Sequence, residues 1–220
     1  ILSRQLQEIA GWDMGKGSKA KVAQAKQKKN RSNIFWLLVF PITALAIKLI
    51  VMFNTQGGGW LGADGENYLT GVDGLLKDGF FSTEGKLIYW PAGYPLFIWP
   101  FAKISVTNFI YFISFFQSVL FALATYIFAR AISQTRVKKA ATWSSFIISF
   151  NPTLSLSSLA IGYESPIASL LLIAISFILR DISTSKTILT TRNIVISGLC
   201  LSVSTFFQPR IILFAIVLIA

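Results

Sequence analysis

Apolar runs of about 20 residues, the length that crosses a bilayer as a helix, recur along the chain with basic loops between them. A chain built this way folds as a bundle of membrane-spanning helices, because only helices and closed barrels satisfy their own backbone in lipid. Residues 34–53 form the first run and 104–128 the second. Residues 141–179 stay apolar for long enough to supply two spans, with a break at Gly162-Tyr163-Glu164-Ser165-Pro166. A fifth begins at 194–207 and is interrupted by Gln208-Pro209-Arg210 before the apolar stretch 211–220. Pro152 reads as a kink in the third span, which neighbouring helices tolerate in a membrane. The expected fold class is all-α: a polytopic transmembrane helical bundle with a long outer loop, residues 54–103, carrying short juxtamembrane helices.

Charge placement orients the bundle. Only 13% of the residues are charged, yet the net charge is +11. Lys16, Lys19, Lys21, Lys26, Lys28, Lys29 and Arg31 precede the first span with no acid among them. This tail, residues 1–33, lacks the interleaved aromatics of a single-strand binder, so no nucleic-acid partner is expected. It reads as a cytoplasmic anchor to anionic membrane lipids. Arg130, Arg136, Lys138 and Lys139, then Arg180, Lys186 and Arg192, fall in loops on the same side. The loop 54–103 is then extracytoplasmic and holds Asp64, Glu66, Asp73, Asp78 and Glu84. The expected location is the plasma membrane, multi-pass, with the N-terminus cytoplasmic. The first Met is Met14, which suggests that residues 1–13 are an upstream extension or a fragment edge, and the apolar run 211–220 is about half a span. The apolar run 34–53 is too long for a cleaved signal peptide.

With no histidine and one cysteine, a Ser-His triad, a His-ligated zinc site and an intrachain disulfide are excluded from this segment. Cys200, in an apolar run, reads as a small buried hydrophobe. Polar chemistry concentrates in the first outer loop. Tyr68, Leu69, Val72, Leu75 and Leu76 recur at helical spacing, which predicts a short amphipathic helix at the membrane surface, ended by Gly79. Asp64 stands at its start, where a carboxylate caps backbone N–H groups. Tyr89-Trp90-Pro91-Ala92-Gly93-Tyr94-Pro95 predicts a rigid turn back to the membrane, with Trp90, Tyr94 and Trp99 in an aromatic belt at headgroup depth or walling a sugar or lipid head. Lys48 is the one charge well inside a span, and snorkelling to the interface accounts for it.

The ordered set of Gly62-Ala63-Asp64 with Tyr68, Pro91-Ala92-Gly93-Tyr94-Pro95, Asn151-Pro152, Tyr163-Glu164-Ser165-Pro166 and Gln208-Pro209-Arg210 resembles the GT-C membrane glycosyltransferases. The likeness is to the branch with protein O-mannosyltransferases and bacterial aminoarabinose transferases, and it covers residues 34–220. Two departures are visible: Gly65 separates Asp64 from the second acid, Glu66, and Ala92 stands where the pattern has proline. The resemblance implies a polyprenyl-phosphate sugar donor, with mannose as the analogy. It also implies a lipid, glycan or protein acceptor and inverting transfer at the extracytoplasmic face. Asp64 or Glu66 would be the catalytic carboxylate, and Tyr68, Tyr94, Glu164 and Arg210 would bind substrate, Arg210 through the donor phosphate. Asp64 and Glu66 could touch a divalent cation, but acids at i and i+2 are a weak metal signal, and no metal site is assigned. The competing class is a polytopic transporter or flippase for a lipid-linked or small polar substrate, which would carry binding residues at mid-membrane on broken helices.

Overall fold

A computed structural model describes residues 34–55, 60, 61, 64–81, 91–183, 190–213 and 216. The basic tail 1–33, Gly62, Ala63, Glu84 and Trp90 lie outside the described residues. The chain divides into two compact units, Ile1–Trp36 and Leu37–Ala220. The described residues of the first, 34–36, are helical, and the second holds everything discussed below.

Helix α1 runs over Ile34–Asn54. A two-residue strand β1 (Trp60–Leu61) leads to α2 (Gly65–Asp78), a 3-10 turn (Gly79–Phe81) and α3 (Gly93–Ile104). Then come α4 (Phe109–Ser133), α5 (Ala140–Phe150), the short α6 (Pro152–Leu156), a 3-10 turn (Ser157–Leu159) and strand β2 (Ala160–Ile161). Helices α7 (Glu164–Ser183) and α8 (Thr191–Phe207) follow. The strands pair in parallel, Trp60 with Ala160 and Leu61 with Ile161. The fold is an all-α bundle, and α1, α4 and α7 are long and apolar enough to cross a membrane. The chain is a multi-pass membrane protein.

The interior is polar and the exterior apolar. Ser114, Ser118, Thr125, Ser145, Ser169 and Ser197 are buried, whereas Ile50, Phe53, Leu123, Trp143 and Leu199 are exposed. In hydrocarbon the hydrophobic effect does not draw helices together, so small residues that permit close approach and hydrogen bonds hold them. Ser145 donates to the Leu37 carbonyl at 3.1 Å, joining α5 to α1. Ser197 donates to the Ala174 carbonyl at 2.9 Å, joining α8 to α7. At one end of the bundle Leu37, Ala129 and Ala141 pack together. Arg130, Arg180 and Arg192 lie in the terminal turns of α4, α7 and α8 at that end, and Arg136, Lys138 and Lys139 lie between α4 and α5. The opposite end carries α2, α3 and the described acids Asp64, Glu66, Asp73, Asp78 and Glu164.

Several local expectations hold and others shift. Tyr68, Val72 and Leu75 form the buried face of α2. Gly79, at φ 72°, ends the helix with its N–H on the Leu75 carbonyl, a conformation that glycine adopts without the Cβ penalty. The second span begins at Phe109, not 104, because the extended Ser105 ends α3 and its hydroxyl accepts from Asn108 N–H at 3.2 Å. Pro152 does more than kink the third span. Asn151 before it is extended, as proline's ring demands of its neighbour, and its side chain caps the restarted helix at Leu154 N–H, 2.9 Å. Helix α5 therefore covers 11 residues, about 16 Å of rise, and stops part-way through a bilayer's apolar depth. The Pro95 expectation is corrected too: it sits in the first turn of α3, where the missing N–H would have had no helical partner anyway.

The connection between α7 and α8 rests on Asp181, 4% exposed. It accepts from Thr190 N–H (2.7 Å), the Thr190 hydroxyl (2.8 Å) and the Asn193 amide (2.8 Å). A carboxylate there also favours the N-terminal dipole of α8. Asp181→Ala should cost roughly 3 kcal/mol, since three donors lose a charged acceptor, while Asp181→Asn should cost distinctly less. Unfolding in detergent measures both, and equal stability of Asp181→Ala and the parent would refute the role.

Candidate functional site

Four segments far apart in sequence meet at the acid-bearing end. Their centre is the Tyr94 hydroxyl, which accepts from Gln117 Nε2 at 3.0 Å and from Gly162 N–H at 2.9 Å. Its ring meets Tyr68 edge-on, centroids 4.9 Å apart, and Phe207 at 6.2 Å. Tyr68 in turn meets Tyr163 at 6.0 Å, and Tyr163's hydroxyl accepts from Gln208 Nε2 at 2.8 Å. Val72, Ile98, Ala102, Ile113 and Ile161 complete the buried cluster.

Tyr94 is fully buried, so it is a core residue and not part of an aromatic belt. Trp99 is half-buried, with the Lys103 ammonium 3.9 Å over its ring. Burial pushes the Tyr94 phenol well above its usual range. The bonds from Gly162 and Gln117 act against this, and the nearby Glu164 and Tyr68 add to it. The phenol therefore stays protonated at neutral pH. It works as a hub that joins α3, α4 and the start of α7, not as an acid or base.

Glycine is required where α3 meets α8. A Cβ on Gly93 would lie 2.3 Å from the Phe206 carbonyl oxygen and 2.7 Å from its carbon, both backbone atoms. This approach brings the Pro91–Pro95 segment against the end of α8, just before Gln208 breaks the helix with an extended backbone. At Gly162 a Cβ would instead meet a Glu164 carboxylate oxygen at 2.2 Å. The Glu164 side chain is thus folded back over Gly162, the residue that donates to Tyr94.

The acids follow the strand pair in sequence. Leu61 and Ile161 are register partners, and Asp64 and Glu164 each stand three residues further on, at the start of α2 and α7. Asp64 occupies the N-cap position, and its carbonyl accepts from Asn67 and Tyr68 N–H at 3.1 and 3.2 Å. Its carboxylate makes no cap bond, so the expected capping role falls to the backbone. Asp64 is half-buried, whereas Glu66 and Glu164 are exposed. Arg210 is exposed on the turn after α8, two residues past Gln208. The structure thus joins Tyr68, Tyr94 and Tyr163 in direct contact and brings Asp64 and Glu164 to the same end. Glu66 points to the surface. Among the described residues no three potential metal ligands cluster.

Gln117 and Tyr163 were not singled out by sequence as site residues. Gln117 had a signal, an amide inside an apolar run, fully buried here. A cavity of about 670 Å³ lies at the opposite end, lined by Ile132, Arg136, Val137, Leu179 and Ile182 among others, and shares no residue with the tyrosine cluster. Comparison of the chain with protein-family models, with curated proteins and with solved structures produced no match.

Three substitutions test this geometry. Tyr94→Phe strands the Gly162 N–H and the Gln117 amide and should destabilise by roughly 3 kcal/mol, at about 1–3 for each buried donor. Gly93→Ala should disrupt folding more than Gly162→Ala, because Phe206 backbone cannot swing aside as the Glu164 side chain can. Thermal unfolding of the purified protein ranks the three, and a harmless Gly93→Ala would contradict the close approach.

Proposed function

We propose that the chain is part of a GT-C-type membrane glycosyltransferase that moves a sugar from a polyprenyl-phosphate donor to an acceptor at the extracytoplasmic face, with inversion. The observation that carries this reading is the convergence at one end of the bundle of four segments that bear the resemblance: Asp64–Tyr68, Pro91–Pro95, Tyr163–Pro166 and Gln208–Arg210. Segregated charge supports the orientation, with the basic end cytoplasmic and the acidic end outside.

In this scheme Asp64 takes the proton of the acceptor hydroxyl as it attacks the anomeric carbon, a role for which a carboxylate uncommitted to capping is suited. Glu66 is the alternative base. Arg210, exposed on its turn, meets the donor phosphate in a two-pronged bond and stabilises the charge that grows as polyprenyl phosphate departs. Glu164 orients acceptor or arginine. Tyr68 and Tyr94, being buried, act as positioning residues beneath the substrate. Mannose is the sugar suggested by analogy.

A carrier or flippase remains the second reading, and one observation favours it: Lys48 does not snorkel but is buried, 3% exposed, with its ammonium on the Ser158 hydroxyl at 3.1 Å. Charges inside a spanning segment often mark a transport path.

The test is transfer by the whole protein in proteoliposomes supplied with polyprenyl-phosphate mannose and acceptor. Release of polyprenyl phosphate is expected, and Asp64→Asn should lower it by about 10²-fold or more with donor still bound. Arg210→Lys should lose most donor affinity despite keeping its charge. Movement of donor across the bilayer with no release would favour the carrier. If Asp64→Asn is active and Glu66→Gln is dead, the base is Glu66.

A further inference from the structure

Lys48 lies six residues before the end of α1 at Asn54, about 9 Å of helix rise, yet its side chain turns inward. Its ammonium donates to Ser158 Oγ at 3.1 Å and stands 4.7 Å over the Phe121 ring. Ser158 is itself held by Ser118 at 3.1 Å and by the Ser155 carbonyl at 2.7 Å. These are the contacts of Lys48 among the described residues, and none is a carboxylate. An ammonium has three donors, so two lack a hydrogen-bond partner there. A cation buried in a membrane span without a counter-charge is costly.

Beside it, where α5 stops at Phe150 and α6 restarts, is an open cavity of about 200 Å³. Lys48 and Ser155 supply its polar lining, and Ala44, Ile47, Phe150 and Leu156 are among its apolar walls. Ile47 (49% exposed), Phe150 (36%) and Leu156 (39%) also belong to the apolar exterior of the bundle. An anion that reaches Lys48 by this mouth passes hydrocarbon-facing side chains, a route suited to an anion that carries its own apolar chain.

We infer that Lys48, held in place by Ser158 and joined by Ser155 at the cavity wall, binds the phosphate of an anionic lipid in the gap left by the broken third span, with an acyl or prenyl chain lying along Ile47, Phe150 and Leu156. The site is separate from the Arg210 turn and does not depend on the transfer chemistry. The lipid supplies the counter-charge that Lys48 lacks among the described residues, and the break at Asn151-Pro152 makes the opening.

The experiment is native mass spectrometry and affinity titration of the whole protein with phosphatidic acid as probe, beside phosphatidylcholine and inorganic phosphate. Phosphatidic acid should bind the parent, and Lys48→Met should weaken it by roughly thirtyfold or more. Ile47→Trp and Leu156→Trp, at exposed positions that should tolerate bulk, narrow the mouth without touching Lys48 and should weaken it as well. Undiminished binding by Lys48→Met overturns the proposal. If that variant does not fold, undiminished binding by both tryptophan variants does so. Phosphatidylcholine binding as tightly as phosphatidic acid overturns the reading of charge. Inorganic phosphate that matches phosphatidic acid in a Lys48-dependent manner overturns the lipid assignment in favour of a free-anion site.

Discussion

A single phenol oxygen holds the acid-bearing end of this bundle together. The Tyr94 hydroxyl takes one bond from within the long helix α4, through Gln117, and one from the backbone of Gly162 at the entrance to α7. Neither donor has water to fall back on in a buried site, so each would be left with an unmet N–H if the oxygen were absent. Around that oxygen the rings of Tyr68, Phe207 and Phe97 set the distance between α2, α3 and α8. The contact of Gly93 with Phe206 backbone brings α3 and α8 together from the other side.

The rest of the bundle follows the logic of a fold dissolved in lipid. Its exterior is aliphatic and aromatic, and its helix contacts run through serines that bond carbonyls on neighbouring helices. Such an arrangement tolerates an interrupted helix, because the freed backbone groups find local partners. Asn151 illustrates this: its side chain caps Leu154, and its carbonyl accepts from Ser155 N–H at 2.8 Å. The short parallel strand pair does the same for residues 60–61 and 160–161, and Asp64 and Glu164 each follow it by three residues.

Much of the architecture is legible in the sequence because it is local. Apolar length marks α1, α4 and α7; period and a glycine mark α2 and its end at Gly79; a proline marks the change of direction after Phe207. The site's segments are likewise visible, as islands of Asp, Glu, Pro, Tyr and Arg in an apolar chain. Their meeting is not visible, since it depends on pairs far apart in sequence, such as Tyr163 with Gln208, 45 residues apart, and Tyr94 with Gly162, 68 apart. Tyr94 shows the limit most clearly. A tyrosine among prolines and tryptophans has the composition of an interfacial belt, and only the positions of Gln117 and Gly162 make it a core residue. Lys48 fails for the same reason: its distance from the helix end allows snorkelling, and the serines of a distant broken helix draw it inward instead.

The joining of the Asp64 segment to the Glu164 segment is the claim on which the site stands, and the strand pair offers a direct measurement. Parallel neighbours lie about 4.8 Å apart, within the Cα range of a disulfide, about 4.4–6.8 Å. With Cys200, the only native cysteine, replaced by serine, Trp60→Cys combined with Ala160→Cys should form an intramolecular disulfide on mild oxidation of the membrane-embedded protein. Mass spectrometry of the linked peptides would record it. Two thiols that stay reduced in a protein that is otherwise folded would contradict the account.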